Sequence, residues 1–125
     1  MISVHCFDTL DEAGGRHLRT LSYEAQRNLF LSMQWFLCLA SHGFGEPVDT
    51  RVYVAQLEEQ PTEAAFLVCT GGANGSLSSL TNYYTMEYSV VFTPGTTMID
   101  ELIDAIVRHI AKERPKRHYL NFRFF

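Results

Sequence analysis

Between Leu29 and Ala40 the chain is apolar at every position except Ser32 and Gln34. The stretch is too short to span a bilayer, which takes about 17–25 residues, so it must find its cover inside a protein. We place it in a helix that starts near Ser22 and ends near His42. Ser22 can accept an orphan backbone N–H, and Glu24 suits the positive first turn. Gly43, Gly45 and Pro47 stop the helix. Helical spacing puts Leu29, Met33, Phe36 and Ala40 on one side and Leu31, Trp35, Cys38 and His42 on nearly the opposite side. Arg27, Gln34 and Ser41 make the polar stripe. A helix apolar around most of its girth needs cover on more than one side. Either it lies at the centre of the fold, or it packs on its own sheet and on a second copy of the chain. The second case predicts a homodimer with Leu31, Trp35 and Cys38 at the interface.

The remaining patterns supply the sheet. Residues 2–7 alternate and predict a strand, while residues 8–19, with Gly14-Gly15 in the middle, predict a loop. Residues 50–57 are a β-branched run and residues 64–70 a second strand, joined by the polar turn 58–63, which is a hairpin pattern. Residues 71–76 are glycine-rich and predict a loop. Residues 83–92 alternate most clearly: Tyr84, Met86, Tyr88, Val90 and Phe92 share one face. Ile99, Leu102, Ile103, Ile106, Val107 and Ile110 form the stripe of a second helix, with Thr97 and Asp100 resembling a capping box and Pro115 ending it. Residues 118–125 predict a last strand whose Leu120, Phe122 and Phe124 join the core. The expected fold is a single α+β domain over 1–125: a two-layer sandwich of order β-α-β-β-β-α-β, with two helices packed on one face of an antiparallel sheet.

Charge narrows the function. Residues 1–107 hold four of the ten basic and thirteen of the fourteen acidic residues, whereas residues 108–125 hold six basic residues and one acid. The net charge of −4 disfavours general binding to nucleic acid or to anionic membrane. The start of the chain has no basic, apolar leader pattern. Three widely spaced cysteines, Cys6, Cys38 and Cys69, with no Cys-x-x-Cys, point to a reducing, cytoplasmic setting.

No residue set carries chemistry well. Cys38 and His42 share a helix face and could start a zinc site with His5, Cys6 or Cys69, but no knuckle spacing supports one, and buried cysteines are ordinary packing. Cys38 with His42 could form a nucleophile and base, yet Cys38 falls in the middle of an apolar helix, where a thiol is expected to pack and not to react. The loop 71–76 lacks the Lys-Ser/Thr ending of a phosphate loop. We therefore expect no catalytic residues, no metal and no cofactor. The expected function is that of a non-enzymatic protein-binding module. It would block a larger, basic partner sterically and electrostatically, as an inhibitor of a nucleic-acid-handling complex of the phage anti-defence kind or as a toxin-immunity protein. The residues expected to meet that partner are Asp11, Glu12, Glu58, Glu59 and Glu63, with Arg114, Lys116, Arg117 and Arg123 as a second contact. Two alternatives stand beside this. One is a small enzyme or ligand-binding domain with an aromatic pocket of Trp35, Tyr84, Tyr88 and His42. The other is nucleic-acid binding through the basic, aromatic segment 112–123.

Overall fold

The computed structural model describes residues 1–22, 26–46, 48–71, 75–82, 84–113 and 119–124, with backbone alone at 18–20, 61–62 and 119. In chain order the elements are β1 (Ile2–Phe7), α1 (Leu10–Leu21), a 3₁₀ turn (Leu29–Leu31), α2 (Met33–His42), β2 (Thr50–Leu57), β3 (Gln60–Gly71), β4 (Ser76–Ser79), β5 (Val91–Phe92), α3 (Ile99–Ala111) and β6 (Tyr119–Asn121). The sheet order is β1-β2-β3-β4-β6, with β5 paired to β3. All pairs are antiparallel except β4 with β6, which run parallel. A parallel pair needs a crossover, and α3 lies within the connection between β4 and β6.

The helices do not share one face. Along β2 and β3, Val52, Val54, Ala64, Phe66 and Val68 enter a core with α1 and α2, through Leu10, Ala13, Leu21, Met33, Phe36 and Leu39. The alternate residues Tyr53, Ala55, Ala65, Leu67 and Cys69 enter a second core with Leu102, Ile106 and Ile110 of α3. Successive side chains on a strand point to opposite faces. The molecule is therefore helix pair, sheet, helix, in place of the expected two layers with both helices on one face. Burial on both faces explains why the central segments 52–55 of β2 and 64–69 of β3 are apolar at every position.

The first helix also differs. Residues 10–19, expected as a loop, belong to α1, which starts because Thr9 accepts the Glu12 N–H at 3.1 Å, buries Leu10, Ala13 and Leu21, and kinks at His17 (φ −124°, ψ 21°). The Leu29–Ala40 stretch then breaks. Arg27 takes a positive φ of 52° and Asn28 accepts the Phe30 N–H at 3.0 Å. The buried Ser32 donates to the Leu29 carbonyl at 2.6 Å and accepts from the Trp35 N–H at 3.4 Å, which starts α2. This break relieves the over-apolar girth, since Leu29–Leu31 leave the α-helix and α2 buries one side through Met33, Phe36, Leu39 and Ala40. At its end Gly43 passes so close to the preceding turn that a Cβ would sit 2.7 Å from the Leu39 carbonyl oxygen. Its own carbonyl accepts from Asn82 Nδ2 at 3.1 Å.

The long strand expected over 83–92 is reduced to β5. The edge of β3 is already taken by β4 at Cys69–Gly71, leaving Ala65 and Phe66 to pair with Phe92 and Val91. Between them Asn82 turns the chain: its side chain accepts the Tyr84 N–H at 3.0 Å, and its own N–H donates to Thr85 Oγ1 at 3.1 Å. Tyr84 and Met86 consequently project outward, while Tyr88 is fully buried and donates its hydroxyl to the Val68 carbonyl.

Candidate protein-interaction surfaces

The acidic residues are placed at opposite ends of the sheet. Asp11 and Glu12 occupy the first turn of α1, where the helix dipole favours them, yet both are exposed. They lie at the end where β1 finishes and β2 begins, beside Asp8 and Asp49. Among the described residues no ion pair engages Asp11, Glu12 or Asp49, and Asp8 shares Arg51, at 3.7 Å, with Glu113. Glu58 and Glu59 form the β2–β3 turn at the other end, about 25 Å away over the eight residues of β2. Glu59 meets the terminal amine of Met1 at 2.5 Å, which lowers its carboxyl pKa. Glu63 is locally employed. It accepts the Thr96 hydroxyl and, at 3.2 Å, the Thr97 N–H, holding the loop before α3. That contact replaces the expected capping box, for α3 has no side-chain cap of its own.

Of the basic set, Arg123 is exposed, with its N–H directed at Ser79 Oγ at 3.4 Å. Arg114, Lys116 and Arg117 lie outside the described residues. Leu31, Trp35 and Cys38 are not gathered on one outward face. Leu31 and Trp35 pack against the core under α1 and α2, with Trp35 edge-on to Phe30 at 4.9 Å, while Cys38 is exposed. The aromatic pocket is not assembled either: Tyr88 fills core, and Tyr84 and His42 are exposed.

The concave surface lies elsewhere. A cleft of about 500 Å³ runs between α3 and the C-terminal segment, lined by Ile103, Val107, Ala111, Leu120, Phe122 and Phe124 among others. A second cavity of about 610 Å³ adjoins it at the start of α3 and shares Val90, Ile103 and Phe124. Around them Ile99, Val107, Leu120 and Phe124 are 43%, 58%, 52% and 54% exposed. The sequence pattern had put Ile99 and Val107 in the apolar stripe of the helix and Leu120 and Phe124 in the core. The α3 stripe is wider than the sheet can cover: Leu102, Ile106 and Ile110 are buried, and its flank at Ile99, Ile103 and Val107 faces the cleft.

One polar cluster fixes this wall. Arg51 Nη2 donates to Glu113 Oε2 at 3.0 Å and to Cys6 Sγ at 3.1 Å, and Tyr53 donates to Glu113 Oε1 at 2.5 Å. The cluster pins the residues just after α3 to β1 and β2. Burial works against the Arg51 charge, but its hydrogen bond to Tyr53 and the acidic groups around it raise its pKa above the ordinary value. Burial, and then the Glu113 carboxylate, raise that of the Tyr53 phenol. Burial also lifts the Cys6 thiol, with Arg51 opposing in part. The thiol is thereby held protonated beside a cation whose charge Glu113 already answers, which is a structural arrangement and a poor nucleophile. Among the described residues no group of three or more His, Cys, Asp or Glu could hold a metal ion, and no helix is long and apolar enough to cross a membrane.

Comparison with protein-family models, with curated proteins and with solved structures gave no match for this chain.

Proposed function

We propose that the chain is a non-enzymatic protein-binding module that meets a basic partner through the acidic end of its sheet. The observation that supports this best is the group Asp11, Glu12 and Asp49 beside Asp8. The first three are exposed carboxylates with no ion pair among the described residues. Unanswered charge of one sign steers an oppositely charged surface into encounter and fixes its register. The mechanism is occupation: acidic side chains take the place that nucleic acid would hold on a basic protein. Inhibition of a nucleic-acid-handling complex, of the anti-defence or toxin-immunity kind, is the finer form of this proposal. The turn Glu58-Glu59, at the far end of the sheet, is too distant to share one compact contact with Asp11 and Glu12, so the proposal centres on the latter pair.

Calorimetric titration with an arginine-rich peptide tests it. Binding should weaken steeply as salt rises, because exposed charges are screened within about 8–10 Å at physiological ionic strength. The double variant Asp11→Asn/Glu12→Gln should lose most of it, and Glu58→Gln/Glu59→Gln little. Equal binding by the wild type and the first variant would overturn the proposal.

A further inference from the structure

The free edge of the sheet carries an inference that rests on the proposed basic partner and says how that partner is held. β1 ends the order β1-β2-β3-β4-β6, and among the described residues nothing pairs with its outer side. The hydrogen-bond register fixes which groups are left open. The Glu58 N–H donates to the Met1 carbonyl at 3.0 Å, and an unbroken register runs from Ile2 opposite Leu57 to Phe7 opposite Val52. Bonded and unbonded pairs alternate in an antiparallel ladder. Ser3, His5 and Phe7 therefore bond β2, and Ile2, Val4 and Cys6 direct their N–H and C=O groups away from the sheet. The other side of β3 gives the same phase. Ala64 accepts the Thr93 N–H at 3.0 Å, so Ala65, Leu67 and Cys69 bond β2, and Val52, Val54 and Gln56 are left to bond β1.

Edge strands are commonly blunted by Lys, Pro, a bulge or short length. At the opposite edge β6 has only three residues. β1 has six, with no Lys, no Pro and no bulge against β2. Its Ile2, Val4 and Cys6 side chains lie half-buried at the margin of the second core. Charge selects the occupant. Asp8 continues β1, Asp11 and Glu12 follow in the first turn of α1, and all three are exposed. Of the cations at this end, Arg51 is answered by Glu113 at 3.0 Å and Arg16 is held over the Phe7 ring at 5.7 Å. A second copy would bring no Lys or Arg to these carboxylates, since residues 1–15 hold none.

We propose that β1 takes an extended segment of the basic partner as an added antiparallel strand, with the basic residues that precede the segment's alternating apolar stretch set against Asp8, Asp11 and Glu12. Antiparallel pairing is the firmer ladder, and it puts the segment's N-terminal end beside Asp8. Main-chain bonds to Ile2, Val4 and Cys6 hold the segment. Its apolar side chains extend the row of Ile2, Val4 and Cys6, and the carboxylates choose a basic sequence.

The peptide Arg-Arg-Thr-Val-Thr-Val-Thr-Val sets its valines opposite Cys6, Val4 and Ile2 and its second arginine opposite Asp8. Calorimetric titration into the full chain should show affinity that falls about tenfold or more when the three valines are N-methylated, a change that leaves the charge alone. The Ile2, Val4 and Cys6 amides should gain protection from hydrogen exchange in the complex. Val4→Pro removes an N–H that faces away from the sheet, a position where edge strands tolerate Pro. That variant should keep the wild-type circular dichroism and bind about tenfold more weakly; the N-methyl comparison decides if it fails to fold. Equal binding of the two peptides, or no gain in protection, would overturn strand addition. In that event Asp11→Asn/Glu12→Gln separates the two readings: weakened binding leaves the acidic site standing, and unchanged binding removes both. A wild type that sediments at twice the 14.3 kDa chain mass, with Val4→Pro at the single mass, would give the edge to a second copy and overturn the inference as well.

Discussion

Replacing Glu113 by Gln removes one charge from the cluster that anchors the end of α3, and keeps its shape. In the wild type two charge-assisted contacts converge on this carboxylate, from Arg51 at 3.0 Å and Tyr53 at 2.5 Å. The Glu113 and Arg51 side chains are 12% and 26% exposed. A hydrogen bond to a charged group contributes about 1.5–3 kcal/mol when buried. Residual exposure and the amide's ability to keep one contact reduce the pair's loss to about 2 kcal/mol. For a chain of this size that is a fall in Tm of about 6–10 °C. Urea unfolding followed by far-UV circular dichroism and by the fluorescence of Trp35 measures it. A double-mutant cycle with Arg51→Gln should give a coupling of at least about 1 kcal/mol, because the two side chains touch. A loss below about 0.5 kcal/mol, the ordinary range for surface changes, would refute the view that this cluster pins α3 to the sheet.

Three further outcomes follow from local geometry. Gly15→Ala should stabilise by up to about 1 kcal/mol in thermal unfolding, since Gly15 lies within α1 and an added Cβ meets nothing within 4 Å. His17 is packed between Phe7 and Phe66 with ring centroids 6.1 and 5.0 Å away, and burial lowers its pKa from 6.5. The unfolded chain therefore binds the proton more tightly, and stability should fall as pH drops below about 6.5 and level off below the folded pKa. His17→Leu should flatten that part of the pH profile, and an unchanged profile would remove His17 as its cause. A maleimide should label the exposed Cys38 first and the half-buried, protonated Cys6 slowly. It should reach the fully buried Cys69 only on unfolding, as peptide mapping by mass spectrometry will show.

Much of the fold was legible because its signals were local. The hairpin of β2 and β3 follows from a β-branched run and an apolar run around a polar turn, and α3 from a stripe at helical spacing ended by cations. The layer count was misread as two. Val52-Tyr53-Val54-Ala55 and Ala64 to Cys69 are apolar on both faces, which requires a layer on each side. Alternation misled at 83–92, where the edge of β3 was already occupied and the Asn82 side chain turned the chain away. The glycine pair at 14–15 hid α1, whose Thr9 cap and buried Leu10, Ala13 and Leu21 outweigh their propensity cost. The candidate surfaces were harder to read. Arg51 and Glu113 are 62 residues apart in sequence, so nothing local announces their pairing. The exposure of Ile99, Val107, Leu120 and Phe124 is a property of what the sheet fails to cover. A stripe of apolar residues reads the same whether its flank is buried or bare.

The proposal that the acidic end of the sheet meets a basic partner is tested most directly by amide chemical-shift mapping. An arginine-rich peptide is titrated into isotope-labelled protein at low salt. The account predicts that the largest, saturable shifts fall at Asp8, Asp11, Glu12 and Asp49 and vanish when salt is raised. Shifts confined to the α3 cleft, shifts led by Glu58 and Glu59, or no saturable shift at all would contradict it.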